Sequence, residues 1–254
     1  MFAKGTRADN PQARQHRIEA RIAPWLPVLA PRLLWQIEKS GWLLLGFEHV
    51  AGRHANLSPG SDHLPLIAHT VSELTRELTP SPVDGLPTLG EKMARMSAWR
   101  RLRDDPPAGL DPWARTNLDT FAQVESRAID QVSGDTLLHT DLHSLNLLIA
   151  DTARPVDWAW AHIGADWADP AYLVIRMIEA GNTPEHAEQW ARSIEAWADA
   201  SPAALTAFAV EVYGMWEYLR HARPLPARET ATQAARQCAQ HRLSTHGTCP
   251  ANGL

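Results

Sequence analysis

Strand-like and helix-like patterns of apolar residues alternate in the first fifty residues. Two apolar runs, RLLWQIE (residues 32–38) and WLLLGFEHV (residues 42–50), are separated only by KSG, which predicts a β-hairpin. A helix is predicted before them, at residues 11–23, because Ile18 and Ile22 lie four positions apart on one face. The chain therefore opens with a strand-rich segment that includes one helix.

Helical spacing of apolar residues dominates the rest of the chain. In residues 61–78, Leu64, Ile67 and Val71 recur at the intervals of one helix face. Similar patterns predict further helices at residues 91–103, 111–132, 169–180, 185–199 and 202–221. Residues 224–254 have little apolar periodicity and are predicted to form a weakly ordered tail.

The order of these elements predicts two lobes with a cleft between them. Residues 1–52 form the strand-rich lobe, and residues 53–223 form the mainly helical lobe. The sequence HVAGR, at residues 49–53, would link the two. A short strand-like interruption at residues 137–158 lies within the helical lobe and carries most of the chemistry discussed below.

Composition and charge exclude several classes of function. The chain has 254 residues, of which 44% are hydrophobic and 21% charged, as in ordinary globular proteins. Its net charge of −5 provides no basic field for nucleic acid or an anionic membrane. Its apolar runs are shorter than the roughly 20 residues that span a bilayer. We expect a cytoplasmic protein with reduced thiols at Cys238 and Cys249, and the mild acidity is compatible with a cationic partner.

Residues 137–158, LLHTDLHSLNLLIADTARPVDW, concentrate polar side chains between short apolar runs. His139, Asp141 and His143 would share one face of a strand, as the ligands of a zinc or iron hydrolase require. Against this alternative, TDLHSLN has the composition of a loop, and no second cluster of histidine and cysteine supplies further ligands. A purely structural role, as the polar ends of buried strands, also stays open.

A phosphoryl-transfer site would use other residues of the same stretch. Asp141 and Asn146 are five positions apart, the spacing in the kinase catalytic loop H-R-D-x-x-x-x-N. The runs NLLIA and PVDW flank the turn DTAR, which predicts a hairpin that returns Asp157 to the side of Asn146. A carboxylate can take the proton of an acceptor hydroxyl, and carboxylate and amide oxygens suit Mg²⁺. Each of the three residues then has its own task.

These motifs resemble the aminoglycoside phosphotransferase family, the small-molecule branch of the protein-kinase-like fold. HTDLHSLN followed by VDWAWA is similar to the catalytic loop and metal-binding motif of that family, and HIGADWADPAYLVIRMI to the segment after them. FAKG resembles the strand that carries a nucleotide-contacting lysine, and HRIEA the helix with its glutamate partner. GWLLLGFEHVAGR resembles the last strand of the small lobe and the hinge. The resemblance extends over roughly residues 2–221.

The resemblance implies an α+β chain with a protein-kinase-like two-lobed fold, in which a truncated N-terminal β lobe precedes a mainly helical C-terminal lobe. It also implies an enzyme that uses ATP and Mg²⁺ to phosphorylate a hydroxyl of a small molecule. An aminoglycoside, another amino sugar and an amino alcohol are all compatible acceptors. No pattern in the sequence indicates an oligomeric state.

The resemblance assigns a task to each site residue. Asp141 would be the catalytic base, and Lys4, oriented by Glu19, would contact the α- and β-phosphates of ATP. The remaining assignments are Asn146 and Asp157 for Mg²⁺ and the backbone from Glu48 to Val50 for adenine.

Three further residues are close enough to the metal-binding motif to face the acceptor. His143, Asp166 and Asp169 would lie near the cleft, where the two aspartates could meet a cationic substrate. Asp169 precedes Pro170, so the alternative for it is the N-cap of the next helix. His139 is expected to brace the catalytic loop through hydrogen bonds.

Two positions depart from the family pattern. Thr140 replaces the usual glycine, which would be tolerated at negative φ and strained at positive φ. Lys4 stands three residues after Met1, so the two strands and the Gly-rich loop that precede this lysine in the family are missing from the sequence. Either the natural start lies upstream or this is a shortened form. The alternative function is therefore a non-catalytic kinase-like remnant.

Overall fold

The computed structural model describes residues 1–247, which begin with a three-stranded antiparallel sheet of order β1–β3–β2. The three strands are β1 (Phe2–Arg7), β2 (Leu33–Lys39) and β3 (Trp42–Phe47). The predicted hairpin is confirmed: Ser40 and Gly41 connect β2 to β3, and both adopt positive φ, as a two-residue type I′ turn requires. Alternate residues of β3 face inward, so Leu43, Leu45 and Phe47 are buried.

Helix α1 (Ala13–Ile22) connects β1 to β2 and covers the inner face of this sheet. Ala13 and Ala20 pack against the buried side chains of β3. Ile22 lies in a second apolar cluster that joins the helix to the rest of the chain, including Trp158 and Ala161. The sheet and α1 thus pack as one unit against the region that contains residues 137–158.

Two smaller antiparallel sheets lie within the helical region. One contains β4 (Arg53–His54), β6 (Leu147–Ile149) and β7 (Ala153–Pro155), in the order β4–β6–β7. The other pairs β5 (Thr136–Leu138) with β8 (His162–Gly164). Together they hold the two ends of the 137–158 stretch in place.

Helices make up most of the remaining structure and surround the main core, in which Trp99, Phe121 and Tyr213 contact one another. In chain order they are α2 (His63–Glu77), α3 (Leu89–Met96), α4 (Ala98–Asp104), α5 (Pro112–Thr116), α6 (Leu118–Gln131), α7 (Ala168–Glu179), α8 (Pro184–Ala191), α9 (Glu195–Asp199), α10 (Pro202–Ala222) and α11 (Pro226–His246). No helix within residues 1–247 is long and apolar enough to cross a membrane. The α+β class predicted from the sequence is confirmed.

Several predicted helices are interrupted. The single helix predicted over residues 91–103 is wrong, because Ser97 adopts a left-handed conformation with φ +41° and separates α3 from α4. The helices predicted over residues 111–132 and 185–199 are also each divided in two, at Asn117 and at residues 192–194. Asp111 does cap α5, since its side chain accepts hydrogen bonds from two N–H groups of the first turn.

The weakly ordered tail predicted at residues 224–254 is wrong for residues 226–246, which form α11. This helix packs against α10 and α7. Its buried face consists mainly of small residues, which allow close approach but give a weak periodicity signal: Ala231, Ala234, Ala235, Cys238 and Ala239. Cys238 is a free buried thiol, and Cys249 lies outside the described residues.

Candidate active site

The predicted hairpin at residues 147–155 is confirmed and brings two candidate residues together. Strands β6 and β7 pair antiparallel, with Leu147 opposite Pro155. Just beyond the pair, the Val156 N–H donates to the Asn146 carbonyl at 2.9 Å. Asn146 and Asp157 therefore flank the open end of the hairpin, and both line one cavity.

Asn146 also holds the predicted base. Its amide nitrogen donates to the Asp141 carbonyl at 2.9 Å and lies 3.3 Å from Asp141 Oδ2. With the amide nitrogen engaged in this way, the amide oxygen is left for another partner. Burial raises the pKa of Asp141, while the positive charges of His143, Arg176 and Lys92 act in the opposite direction. The carboxylate is about one third exposed, so it remains accessible to a substrate.

Lys4 forms the predicted pair with Glu19 and a second pair with Asp157. Its Nζ lies 2.5 Å from Glu19 Oε2 and 2.7 Å from Asp157 Oδ1. Glu19 is buried, and burial raises its pKa despite the neighbouring ammonium. Its other oxygen accepts the N–H of Trp158 at 3.1 Å. For Asp157, burial raises the pKa, but the charge and hydrogen bond of Lys4 outweigh it and the net pKa is lowered.

His139 holds the loop of residues 139–146 in place through both of its ring nitrogens. Its Nε2 lies 3.0 Å from the Val156 carbonyl, and its Nδ1 lies 3.3 Å from the Asp141 N–H. A carbonyl can only accept, so the neutral ring carries its proton on Nε2. Burial lowers the pKa of His139 to about 4, which keeps the ring neutral near pH 7.

Asp169 lies behind the loop rather than in the cleft. Its two oxygens accept the N–H groups of His139 at 2.7 Å and Thr140 at 2.8 Å. The side chain is buried, and burial raises its pKa to about 6. The N-cap alternative is wrong for this residue, because Trp167 is the N-cap of α7. The substrate-facing alternative stays a prediction that the geometry does not favour, because both oxygens are occupied by the loop.

Thr140 adopts the conformation that its glycine counterpart would favour. Its φ is +57°, in the left-handed region where a β-branched residue is strained. The hydroxyl offsets part of this strain, because it donates to the Trp160 carbonyl at 2.5 Å. It also lies 3.3 Å from Lys92 Nζ. The loop therefore depends on a side-chain hydrogen bond that glycine could not make.

His143 and Asp166, the two other residues predicted to face the acceptor, lie in different parts of the structure. His143 lies beside Asp141, with Nε2 3.9 Å from Asp141 Oδ2, and its Nδ1 accepts the Leu145 N–H. Asp166 has Asp135 and Asp199 as its charged neighbours and lines neither the cavity of Asn146 nor that of Asp141. Only His143 of this pair is close to the predicted base.

A first cavity, of about 350 Å³, lies between the three-stranded sheet and the hairpin. It is lined by six of the residues predicted from the sequence: Lys4, Glu19, Glu48, Val50, Asn146 and Asp157. Phe2 and Phe47 supply apolar surface. Among the backbone hydrogen bonds of residues 1–247, none engages the Glu48 carbonyl or the Val50 N–H, so both are available to a ligand. The cavity thus has an apolar wall, free backbone groups and a charged end.

A second cavity, of about 360 Å³, is lined by Asp141, to which Asn146 is hydrogen-bonded. Lys92 of α3 and Arg176 of α7 line it, and no sequence motif indicates either residue. Helix α3 begins with a capping box, in which Thr88 and Glu91 bond reciprocally, and this start fixes the direction of Lys92 one residue later. Both cations come from helices remote in sequence from the catalytic loop.

The geometry does not favour the zinc or iron hydrolase. Both ring nitrogens of His139 are engaged by the protein backbone, so neither is free to bind a metal. Within residues 1–247, no group of three or more His, Cys, Asp or Glu side chains is arranged to hold a metal ion. The carboxylate and amide oxygens of Asp157 and Asn146 instead match the preference of Mg²⁺, which needs only one or two protein ligands besides phosphate.

Sequence comparison identifies no relative: no protein-family model and no curated protein matches the chain. Solved structures do match its shape. The GDP complex of aminoglycoside 2′-phosphotransferase-IIIa superimposes with a TM-score of 0.65 at 17% identity, covering 91% of this chain and 82% of that one.

Two further solved structures are similar to the chain over most of its length. A choline/ethanolamine kinase family protein from Mesorhizobium loti gives a TM-score of 0.63 at 16% identity, over 96% of this chain and 83% of that one. An aminoglycoside phosphotransferase from Streptomyces rimosus, in complex with ADP and streptomycin, gives 0.59 at 22% identity, over 84% and 85%. The chain therefore has the protein-kinase-like fold that aminoglycoside phosphotransferases and choline kinases share.

Proposed function

We propose that this protein is a small-molecule kinase that transfers the γ-phosphoryl group of ATP to a hydroxyl of its substrate. One observation carries the proposal: Asn146 lines the first cavity and is hydrogen-bonded to Asp141, which lines the second. A donor in the first cavity and an acceptor in the second would meet at this residue. The structural neighbours include complexes with GDP and with ADP, which supports a nucleotide as the donor.

In this proposal the first cavity binds the nucleotide, and residues 1–52 and 53–223 form its two sides. The adenine ring would pack against Phe2 and Phe47 and bond to the free backbone groups of Glu48 and Val50. Lys4, held by Glu19, would contact the phosphates at the charged end. ATP is available in the cytoplasm, where we place the protein.

Asp141 would act as the general base in the second cavity. Its carboxylate would accept the hydroxyl proton while the acceptor oxygen bonds to the γ-phosphorus and the bond to the β-phosphate oxygen breaks, releasing ADP. Asn146 would keep the carboxylate oriented through its amide hydrogen bonds. Asn146 Oδ1 and Asp157 would hold Mg²⁺, which would neutralise charge on the transferring phosphates.

Replacement of Asp141 by asparagine tests this assignment. We expect Asp141→Asn to lower the rate of phosphoryl transfer by about 10²–10⁴-fold, because the amide cannot accept the proton. Nucleotide binding, measured by calorimetry with ATP and Mg²⁺, should be unchanged, since Asp141 lies outside the first cavity. Asp151→Asn, in the exposed turn of the hairpin, is the matched control and should retain activity.

Two outcomes would refute parts of the proposal. If the wild-type protein bound no nucleotide at millimolar ATP with Mg²⁺, the non-catalytic alternative would replace the kinase. If the protein bound nucleotide and Asp141→Asn retained full transfer activity, the assignment of the base would be wrong.

A further inference from the structure

The second cavity contains an excess of positive charge. Its lining includes four cationic side chains, Lys92, Arg176, Arg223 and Arg228, against a single carboxylate, that of Asp141. The chain as a whole carries a net charge of −5, so this excess is local. A cavity lined by one sign of charge within low-dielectric walls concentrates ligands of the opposite sign.

Two of these cations have no acidic partner among residues 1–247. Lys92 makes its only hydrogen bond there to the neutral Thr140 hydroxyl. Burial lowers the pKa of Lys92 to about 8, and the neighbouring carboxylates of Asp141 and Asp169 act against that effect, so the ammonium stays mostly charged at pH 7. Arg223, at the end of α10, forms no ion pair within the same residues.

The other two arginines are held in place but are not fully neutralised inside the cavity. Arg176 donates to Glu179 at 2.8 Å, yet Glu179 lies outside the cavity, and the guanidinium stacks over Trp216 at 5.1 Å. Arg228 donates to the Arg223 carbonyl. Both guanidinium groups are therefore fixed by neighbours without a carboxylate entering the cavity.

Nearby acids do not cancel the excess. Glu211 is fully buried and does not line the cavity, and burial raises its pKa well above the ordinary value, which disfavours its charged form. Asp169 lies behind the loop with both oxygens occupied by N–H groups. Asp141 alone presents a negative charge to a bound molecule.

The cations are not part of the proposed nucleotide site. None of the four lines the first cavity, and Arg223 and Arg228 belong to the segment where α10 ends and α11 begins. The positive charge also extends further from that site, because the wall formed by Lys92, Met96 and Trp160 is shared with an adjoining cavity. That cavity is lined by Arg14, Arg95 and Arg101 and by no carboxylate.

We propose, on the basis of the kinase function proposed above, that the acceptor is a small anionic alcohol, a hydroxy compound that bears a carboxylate or phosphate group. Arg176 and Lys92 flank Asp141 and would bind the anionic group beside the reacting hydroxyl, while Arg223 and Arg228 attract it into the cavity. A cationic acceptor, with which the mildly acidic composition is compatible, would instead meet four like charges. The volume of about 360 Å³ is near the lower limit for ligand pockets and suits a molecule of one ring.

The test compares three probes that share a pyranose ring and differ in charge: D-glucuronate, D-glucose and D-glucosamine. Each is titrated into the wild-type protein without nucleotide at about pH 6, where the first is an anion and the third a cation. Binding is measured by ligand-observed NMR. We expect glucuronate to bind at least about tenfold more tightly than glucosamine, with glucose between them.

Three variants test whether the arginines of the second cavity cause the preference for glucuronate. Arg176→Gln and Arg223→Gln should weaken glucuronate binding by about three- to tenfold and leave glucose binding unchanged. Arg223 is exposed, so the second variant retains the fold even if loss of the Arg176–Glu179 pair affects stability. Arg103→Gln is the matched control, since Arg103 is an exposed arginine of α4 that lies outside both cavities.

Preferential binding of glucosamine, absence of glucuronate binding, or equal effects of the control and cavity variants would each overturn the inference. These measurements use no nucleotide and require no turnover. A failure of the proposed kinase function, seen as absent ATP binding or absent phosphoryl transfer, is therefore distinguishable from a failure of the charge preference.

Discussion

Lys4 Nζ lies 2.7 Å from Asp157 Oδ1, which joins the first strand of the chain to the loop that follows the β6–β7 hairpin. The two residues are 153 positions apart in sequence. The same ammonium lies 2.5 Å from the buried Glu19 carboxylate, so Lys4 forms ion pairs with two carboxylates. The three-stranded sheet, α1 and the loop that follows the hairpin are therefore coupled through a single lysine.

Replacement of this lysine should affect stability as well as binding. Lys4→Met leaves the buried Glu19 carboxylate without its partner, which we expect to lower the free energy of unfolding by about 2–4 kcal/mol in urea denaturation. Nucleotide affinity should fall by about tenfold or more, because the phosphates lose a charged contact. The control is Lys39→Met, an exposed lysine in the same sheet.

A second change separates the two effects of that variant. Lys4→Met combined with Glu19→Gln removes the buried charge, so it should recover part of the lost stability while nucleotide affinity stays low. Equal stability of the single and double variants would show that an unpaired Glu19 carboxylate does not cause the loss of stability in Lys4→Met.

Substitutions at Thr140 should reveal the strain in the catalytic loop. Thr140→Val keeps the positive φ and loses the hydrogen bond to Trp160, so it should destabilise by about 1–2 kcal/mol. Thr140→Gly also loses the bond but relieves a left-handed conformation that costs about 1–2 kcal/mol. The glycine variant should therefore be more stable than the valine variant in urea denaturation.

Thr70 provides the matched control for this comparison. It is also buried and donates its hydroxyl to a carbonyl, that of Ala153 at 2.9 Å, but it lies within α2. Glycine is unfavourable inside a helix, so at this position Thr70→Val should be the more stable variant. The same order of stability at both positions would contradict the assignment of strain to Thr140.

The residues that the sequence could place are those whose positions depend on local geometry. Asp141, Asn146 and Asp157 belong to one loop and one hairpin, so their spacing is enough to bring them together. Lys4 and Glu19 belong to adjacent elements and were placed through the family resemblance, and the structure contains their contact. Short-range constraints thus bring residues together within each side of the first cavity, whereas the contact between its two sides, as in the Lys4–Asp157 pair, is long-range.

Other features depend on packing between distant elements and left no clear pattern. Lys92 and Arg176 reach the second cavity from α3 and α7, and each looks like an ordinary helical surface residue in the sequence. For Asp169, the local rule for an aspartate before a proline predicts a helix cap, but it does not take account of the N–H groups of a loop about thirty residues earlier, which this carboxylate binds. The acceptor side of the site therefore required the tertiary structure.

Arg154 joins the segment between α1 and β2 to Glu48, the residue that follows β3. Its guanidinium donates to three consecutive carbonyls, those of Val28, Leu29 and Ala30, at 3.1–3.3 Å, and to Glu48 at 3.3 Å. Arg154→Met should lower the free energy of unfolding by about 1–3 kcal/mol, since all of these bonds are lost. Limited proteolysis within residues 27–31 should accelerate several-fold, because cleavage follows local opening.

The control for Arg154 is Arg17→Met, which removes an arginine whose ion pair with Glu38 is exposed. It should change neither the stability nor the cleavage pattern appreciably. An unchanged rate of cleavage in the Arg154 variant would show that other contacts hold the segment.

His139 should make stability depend on pH in a defined direction. Its pKa is lowered to about 4 in the fold because of burial, whereas an unfolded histidine titrates near about 6.5. The unfolded chain therefore binds the proton first as pH falls. The contribution of His139 is complete above about pH 6.5 and is lost between about pH 6.5 and pH 4, by up to about 3 kcal/mol.

The wild-type profile alone would not isolate this effect, because Asp169 acts with the opposite sign. Its pKa is raised to about 6 by burial, so its contribution is lost as pH rises through about 4 to 6. The measurement is therefore the difference in free energy of unfolding between the wild type and His139→Gln, at several pH values. Glutamine does not titrate but can still donate to the Val156 carbonyl.

We expect this difference to shrink steadily as pH falls from about 6.5 to about 4, since only the wild type must keep an imidazole unprotonated. His186→Gln, at an exposed histidine, serves as the control for removal of an imidazole from the surface. A difference that stayed constant with pH would mean that the folded loop tolerates a charged His139. In that case the ring could not be acting as the neutral brace between Val156 and Asp141.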